Sequence, residues 1–259
     1  MLPNVEVKMN LKGILVGNAC TNPRECYEPS YKGEDTKSIY QYEYLYAHGY
    51  LTDHEYEMIT GSCTMGFYSD GCKEWRNISD TKFEKTMTVI NNIYQPCYHQ
   101  TIPYAPQPLT LQGRNSPNTF TTCEDLIGIM HFLNSPSMHV WLHVDSALYK
   151  ICNDDVANKY QMHPDASEWI YPILIKAGLR VWVYSGDNDA NVPITGTLRW
   201  IELMKDVQGY PIIEPWREWW VPGLHKHEDQ MGGMVWKLRG LTFVSVKGAG
   251  HMVPADKPK

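Results

Sequence analysis

The chain has 259 residues, of which 43% are hydrophobic and 20% charged, and its formal net charge at pH 7 is −6. This composition is typical of a globular protein, and the length allows one large domain or two small ones. The acidic balance and the lack of a basic run argue against a nucleic-acid partner. No apolar stretch of the sequence is long enough to cross a bilayer, so we expect no membrane partner.

The first half of the chain predicts one strand followed by helices. An apolar run at Leu11–Val16 predicts a short strand that Gly17 and Asn18 end. Aromatic and aliphatic residues then recur at helical spacing in Asp35–Leu51, in Asp53–Thr60 after a cap at Thr52 or Asp53, and in Asp80–Ile93. The stripe of Tyr40, Tyr44 and Tyr46 is expected to lie in the core.

The second half alternates between helices and strands after a linker. Gln95–Thr122 contains five prolines and little periodicity, which predicts an extended loop. We expect Gly178 to end one of the later helices in the left-handed conformation. The predicted helices are Glu124–Leu133, Pro136–His143, Ala166–Ala177 and Ile194–Met204, and the predicted strands are the apolar runs Leu179–Tyr184 and Leu241–Val246.

Acidic and histidine residues follow these last two strands. Asp187 and Asp189 come directly after the first strand, and His251 follows the second. A strand–helix–strand order predicts a parallel α/β sheet, in which functional groups gather at the carboxyl ends of the strands. An acid followed by a histidine matches the second half of the order Ser…Asp…His, in which the acid orients the imidazole and the imidazole accepts a proton from serine. The chain contains no Gly-x-Ser-x-Gly nucleophile motif.

Several segments resemble blocks of the serine carboxypeptidase family. Tyr184–Pro193 (YSGDNDANVP) resembles the aspartate signature of the family, and Val246–Pro254 (VKGAGHMVP) resembles its histidine signature. Further blocks resemble the family in the same order along the chain: Leu11–Ala19, Asn91–Cys97, Phe132–Asp145 and Gly232-Gly233.

The resemblance implies part of an α/β-hydrolase fold, with a mostly parallel sheet and a helical lid insertion. It divides the chain into a core strand and its following loop (1–34), the lid with its proline-rich linker (35–122), and the carboxyl-terminal core (123–259). Asp189 and His251 would be catalytic, and Met252 would border the pocket for the leaving residue. The reaction would release C-terminal amino acids from peptides through an acyl-enzyme, without metal or organic cofactor.

The chain has seven cysteines, and none shows the CxxC spacing of a zinc site. The close pairs suit short disulfide loops. The resemblance implies that Cys152 bonds to a cysteine upstream of this chain, although a buried free thiol is the alternative reading. The other implied pairs are Cys63–Cys72 and Cys97–Cys123, with Cys20–Cys26 as an additional local bridge.

Asn77-Ile78-Ser79 is an N-glycosylation sequon, expected on a surface loop. The first eight residues lack the apolar segment of a signal peptide. The cysteines and the sequon nevertheless favour the secretory pathway, and the resemblance implies the vacuole, the lysosome or the outside of the cell. We expect that a missing amino-terminal half accounts for the absent leader.

Other interpretations stay open. The family includes acyltransferases, and a non-catalytic scaffold or a two-chain enzyme would also suit a chain without the serine motif. The chain could form a homodimer or associate with the missing amino-terminal half. His225–Asp229 could supply metal ligands, but an exposed loop without metal is the better prediction. Glu214–Trp220 is aromatic and is predicted to pack against the fold.

Overall fold

The computed structural model describes residues 10–21, 27–28, 36–63, 69–86, 88–95, 124–145, 148–150, 156, 159, 167–223, 225 and 227–258. Most of the predicted linker lies outside these residues, as do Cys26, Cys97, Cys123 and Cys152. Within the described ranges, no helix has the length and apolarity required to traverse a membrane.

The described residues form strands and helices in both halves of the chain. The strands are β1 (Gly13–Gly17), β2 (Tyr27–Glu28), β3 (Thr36–Lys37), β4 (Arg180–Gly186), β5 (Ile212–Val221), β6 (Gln230–Leu238) and β7 (Leu241–Val246). The helices are α1 (Ile39–Ala47), α2 (Asp53–Cys63), α3 (Asp70–Lys85), α4 (Glu124–Leu133), α5 (Pro136–Leu142), α6 (Ile170–Lys176), α7 (Ile194–Gln208) and α8 (Val253–Asp256).

Five strands form one sheet in the order β1-β4-β7-β6-β5. β1 pairs with β4 and β4 with β7 in parallel, whereas β6 pairs with β7 and with β5 antiparallel. The sheet is therefore mixed rather than mostly parallel, because a hairpin leads into β7. The predicted parallel relation of β4 and β7 is confirmed, and it places their carboxyl ends side by side.

One hydrophobic core lies between the sheet and two helices. Val181, Val183 and Phe243 project from the central strands and are almost fully buried. They meet Tyr171 of α6 and, from α7, the buried side chains Trp200, Ile201 and Met204. Gly178 follows α6 with φ of 79°, as predicted, and returns the chain to β4.

A second core holds α1, α2 and α3 together over the carboxyl edge of the sheet. Its buried members include Tyr42, Tyr44 and Ile59, together with Ala190 from the loop after β4. Thr52 caps α2: its Oγ1 accepts the Glu55 amide proton at 3.3 Å, and its own amide donates to Glu55 Oε2 at 2.7 Å. Tyr44 is fully buried as predicted, whereas Tyr40 and Tyr46 are only half-buried.

Two covalent and ionic links fix α2 against α3. A disulfide joins Cys63 to Cys72, as the family resemblance implies. Lys82 Nζ contacts Glu55 Oε2 at 2.8 Å, and this hydrogen bond, together with the one from the Thr52 amide, lowers the pKa of Glu55 to about 2. Cys20 is also disulfide-bonded. Its expected partner, Cys26, lies outside the described residues.

The predicted helix over Asp80–Ile93 is confirmed as far as Lys85 and is wrong beyond it. The helix α3 begins ten residues earlier, at Asp70, and ends at Lys85, and residues 88–95 form turns. The helix begins earlier because buried residues recur on one face of this polar segment, at Cys72, Arg76, Ser79 and Phe83. It ends ahead of a segment whose main chain makes short turns and bonds to the loops after β4 and β7.

Two surface predictions also need correction. Asn77 is exposed but lies on α3, not in a loop. Glu214–Trp220 forms most of the strand β5, whose side chains are largely exposed, with Trp216 at 40% and Trp220 at 56% exposure. β5 is an edge strand of the described sheet. Two of these aromatic residues nevertheless pack against the fold, as predicted. Trp216 stacks on the buried ring of Phe243, with ring centroids 5.9 Å apart, and Trp219 Nε1 donates to the Ser245 carbonyl at 2.9 Å.

The first core generates a stability prediction. Ile201 is fully buried between α7 and the sheet. We expect Ile201→Ala to lower the free energy of unfolding by about 2–5 kcal/mol, because it removes buried methylene groups and leaves a cavity. The matched control is Glu202→Ala, next to it on the exposed face of the same helix. Equal effects of the two substitutions in urea denaturation would contradict this packing.

Candidate active site

Two loops at the carboxyl edge of the sheet form the site. The aspartate loop (residues 187–192) follows β4, and the histidine loop (residues 247–252) follows β7. Because these strands are parallel neighbours, the loops lie side by side. His251 Nδ1 lies 2.8 Å from Asp189 Oδ2. The structure thus brings together the two residues that the sequence selects as an acid and a base.

The carboxylate of Asp189 is fully buried and has donors on both oxygens. Oδ2 pairs with His251 Nδ1 and also accepts a hydrogen bond from Asn18 Nδ2 at 2.7 Å. Oδ1 accepts the main-chain N–H groups of Asn191 at 2.8 Å and Val192 at 3.2 Å. A buried carboxylate is costly unless it is hydrogen-bonded, so these donors hold Asp189 in one orientation.

Asn18 is a site residue that the sequence analysis treats only as the end of a strand. It follows β1 with φ of 40°, and its side chain reaches the aspartate loop. Its Oδ1 accepts the Gly186 amide proton at 3.3 Å while its Nδ2 donates to Asp189. The sequence contains a signal for this role, because a polar residue at the end of another parallel strand reaches the same edge of the sheet.

The surroundings of His251 set its protonation. Burial lowers its pKa, but the hydrogen bond that Nδ1 donates to Asp189 and the negative charge of that carboxylate raise it, and the net effect is a pKa above the ordinary 6.5. Because Nδ1 is engaged by Asp189, Nε2 is the nitrogen that can exchange a proton with a reacting group. The arrangement can therefore accept a proton from a nucleophile and return it to a leaving group.

Asp187 does not contact His251 and instead ties the two loops together. Its Oδ1 accepts the Gly248 amide proton at 2.6 Å, and its carbonyl accepts the Tyr44 hydroxyl proton at 2.7 Å. Burial raises the pKa of Asp187, and the bond from Gly248 opposes that rise. Burial also raises the pKa of Tyr44. These contacts make Asp187 a loop anchor, and they leave Asp189 as the acid beside the histidine.

The remaining predicted residues are largely exposed. Met252 follows His251 in the chain and is 61% exposed. The described members of His225–Asp229 are exposed between β5 and β6, as predicted for a loop. Within the described residues, no group of three His, Cys, Asp or Glu side chains is arranged to hold a metal ion.

A sheet that presents an acid and a histidine after neighbouring parallel strands, under a cluster of helices, has the α/β-hydrolase architecture. The profile of the serine carboxypeptidase family matches residues 3–259, and the chain belongs to that family. Serine carboxypeptidase-like 33 of Arabidopsis thaliana is 31% identical over an alignment of 270 residues, which covers 97% of this chain and 52% of that protein.

Two further similarities bear on the fold and the range of functions. The crystal structure of Kex1(delta)p, a prohormone-processing carboxypeptidase from Saccharomyces cerevisiae, matches with a TM-score of 0.64 and 18% identity, over 97% of this chain and 54% of that one. P-(S)-hydroxymandelonitrile lyase of Sorghum bicolor is 26% identical, over 96% of this chain and 48% of the lyase. The chain spans about half the length of these relatives.

The contact between Asn18 and Asp189 generates a prediction. We expect Asn18→Gly to lower the free energy of unfolding by about 1–3 kcal/mol, because a buried carboxylate oxygen loses a donor. Glycine tolerates the positive φ at this position, so the change removes only the side-chain contacts of Asn18, to Asp189 and to the Gly186 amide. The matched control is Asn10→Gly, at an exposed position ahead of β1. An equally small effect of both changes in urea denaturation would show that the contact contributes little.

The raised pKa of His251 predicts a pH-dependent contribution to stability. This stabilisation is fully present below pH 6.5, the ordinary pKa, and is lost as the pH rises through the higher pKa of the folded state. His251→Gln should therefore cost more unfolding free energy at about pH 5.5 than at about pH 9. In an Asp189→Asn background this difference should disappear or reverse in sign, because the charge that raises the pKa is gone while burial, which lowers the pKa, remains. A persistent difference would point to another cause.

Proposed function

We propose that the chain carries the acid–base half of a serine carboxypeptidase site. His251 Nε2 accepts the proton of a serine hydroxyl as that oxygen attacks the last peptide carbonyl, and then donates the proton to the leaving amino acid. Water repeats the cycle and releases the acyl group. Asp189 orients the ring and stabilises the imidazolium. The observation that supports this proposal is the 2.8 Å contact to a fully buried carboxylate.

The proposal assigns the nucleophile to further polypeptide, because this sequence contains no Gly-x-Ser-x-Gly motif. An exposed apolar face of the sheet supports this assignment, because the cross-strand neighbours Leu15 and Trp182 are 66% and 48% exposed there. In the proposal this polypeptide covers that face, and residues 35–122 form the lid over the site. Met252 borders the position of the leaving residue, and peptides are the substrates.

Two alternatives use the same scaffold. Acyl transfer to an alcohol would need the same pair, and the name of the sorghum relative shows that the family also includes a lyase. A non-catalytic scaffold is favoured by the missing serine motif. However, a scaffold has no chemical need for a histidine hydrogen-bonded to a buried carboxylate, so we prefer the enzyme.

We further propose a location in the secretory pathway, in a vacuole or lysosome or outside the cell. The disulfide between Cys63 and Cys72 supports an oxidising compartment. Asn77 is exposed on α3 and accessible to a glycan. Digestion with a glycosidase should lower the mass of the natural protein, and Asn77→Gln should abolish that change.

The decisive experiment recovers the natural protein with an antibody against this chain. We expect a fluorophosphonate probe to label a serine that copurifies with the chain, and the recovered protein to release C-terminal residues from blocked dipeptides. His251→Ala should abolish both labelling and release, whereas Asn134→Ala, far along the chain in the turn between α4 and α5, should change neither. Copurified protein that carries no labelled serine would favour the scaffold, and labelling without peptide release would favour acyl transfer.

A further inference from the structure

A short turn segment connects the two loops of the site. This bridging segment (residues 89–93) follows α3 and lies against both loops. Towards the aspartate loop, the Ile90 carbonyl accepts the Ala190 amide proton, and the Ile93 amide donates to the Asn188 carbonyl, both at 3.0 Å. These two bonds flank the position of Asp189 in the chain.

The middle of the segment bonds to the histidine loop. The Asn91 carbonyl accepts the amide proton of His251 itself at 2.6 Å. The Asn92 Nδ2 donates to Asp256 Oδ2 at 3.0 Å, and the same oxygen accepts the Gly250 amide proton at 2.6 Å. The outer residues of the segment therefore hold the acid loop, and the inner residues hold the histidine loop.

The bridging segment packs tightly against the histidine loop at Gly250. A Cβ on Gly250 would lie 2.2 Å from the Asn91 carbonyl oxygen and 2.5 Å from Asn92 Cβ. The segment is itself fixed, because Ile90, Asn92 and Ile93 are buried and both isoleucines belong to the second core. The bridging segment, which the second core fixes, therefore lies between the two loops and contacts both.

We propose that residues 89–93 set the distance between His251 and Asp189, and that Asn92 is a positioning residue for His251. Asn92 acts through Asp256, whose carboxylate links it to the main chain just before the histidine. Without the amide of Asn92, the half-buried carboxylate of Asp256 can turn to solvent and release Gly250. The inference deepens the proposed function, because positioning matters for catalysis only if the pair is catalytic.

The test measures the pKa of His251 by NMR titration of the chain. We expect Asn92→Ala to lower this pKa towards 6.5, because contact with Asp189 is what raises it. The matched control is Asn91→Ala, the same change one residue earlier, which keeps the carbonyl that accepts from His251. A wild-type pKa in Asn92→Ala, or an equal fall in both variants, would overturn the proposal.

A second variant separates positioning from loss of the fold. Asn92→Asp places two carboxylates against each other at neutral pH, and near pH 4 such a pair can share a proton and restore the bond. We expect the downfield Nδ1 proton resonance of His251 to be lost at pH 7 and to return at about pH 4, relative to the wild type at each pH. Absence at both pH values with otherwise native amide spectra would overturn the proposal. Neither readout depends on enzymatic activity, so failure of the proposed function would be seen separately.

Discussion

The buried carboxylate of Asp189 requires hydrogen-bond donors, and the arrangement of the fold supplies them. Its donors come from Asn18, 171 positions earlier in the chain, from the turn that follows Asp189 itself, and from His251. An unpaired charge in this position would cost several kcal/mol. β1 and β7 both lie beside β4, one on each side, and this is the order at one end of the described sheet. The hydrogen-bond donors that the Asp189 carboxylate requires are therefore supplied by the order of these three strands.

The helices over the sheet contribute to the site by satisfying main-chain groups of the aspartate loop. A loop at the buried edge of a sheet leaves carbonyl groups without partners unless another element donates to them. Tyr44 donates to the Asp187 carbonyl, and the Gln41 side chain donates to the Asn191 carbonyl at 2.7 Å. Ala190 of the loop is in turn a member of the helical core. The helical cluster and the site are thus one structural unit, in which loss of helix packing would disturb the acid.

The sequence predicted the elements whose patterns are local, and it failed where partners are distant. β7 and α4 lie where hydrophobic patterning placed them, and the Asp189–His251 contact followed from two loops on neighbouring parallel strands. Residues 88–93 were assigned to a helix because their apolar spacing is helical, but their main chain bonds to residues about 100 and 160 positions away. Asn18 and Asn92 were missed for the same reason, since their roles depend on which loop folds against them.

Neutral amides at these two positions have an electrostatic consequence. Asn18 and Asn92 each donate an N–H to a carboxylate, Asp189 and Asp256 respectively. A lysine or arginine would satisfy the same oxygens but would also cancel their charge, and a neutralised Asp189 could no longer favour the imidazolium. An amide fixes the geometry of the carboxylate and leaves its charge intact. The site therefore combines a fixed acid with an undiminished negative potential at His251, which is the condition under which an imidazole accepts a proton from a reacting group.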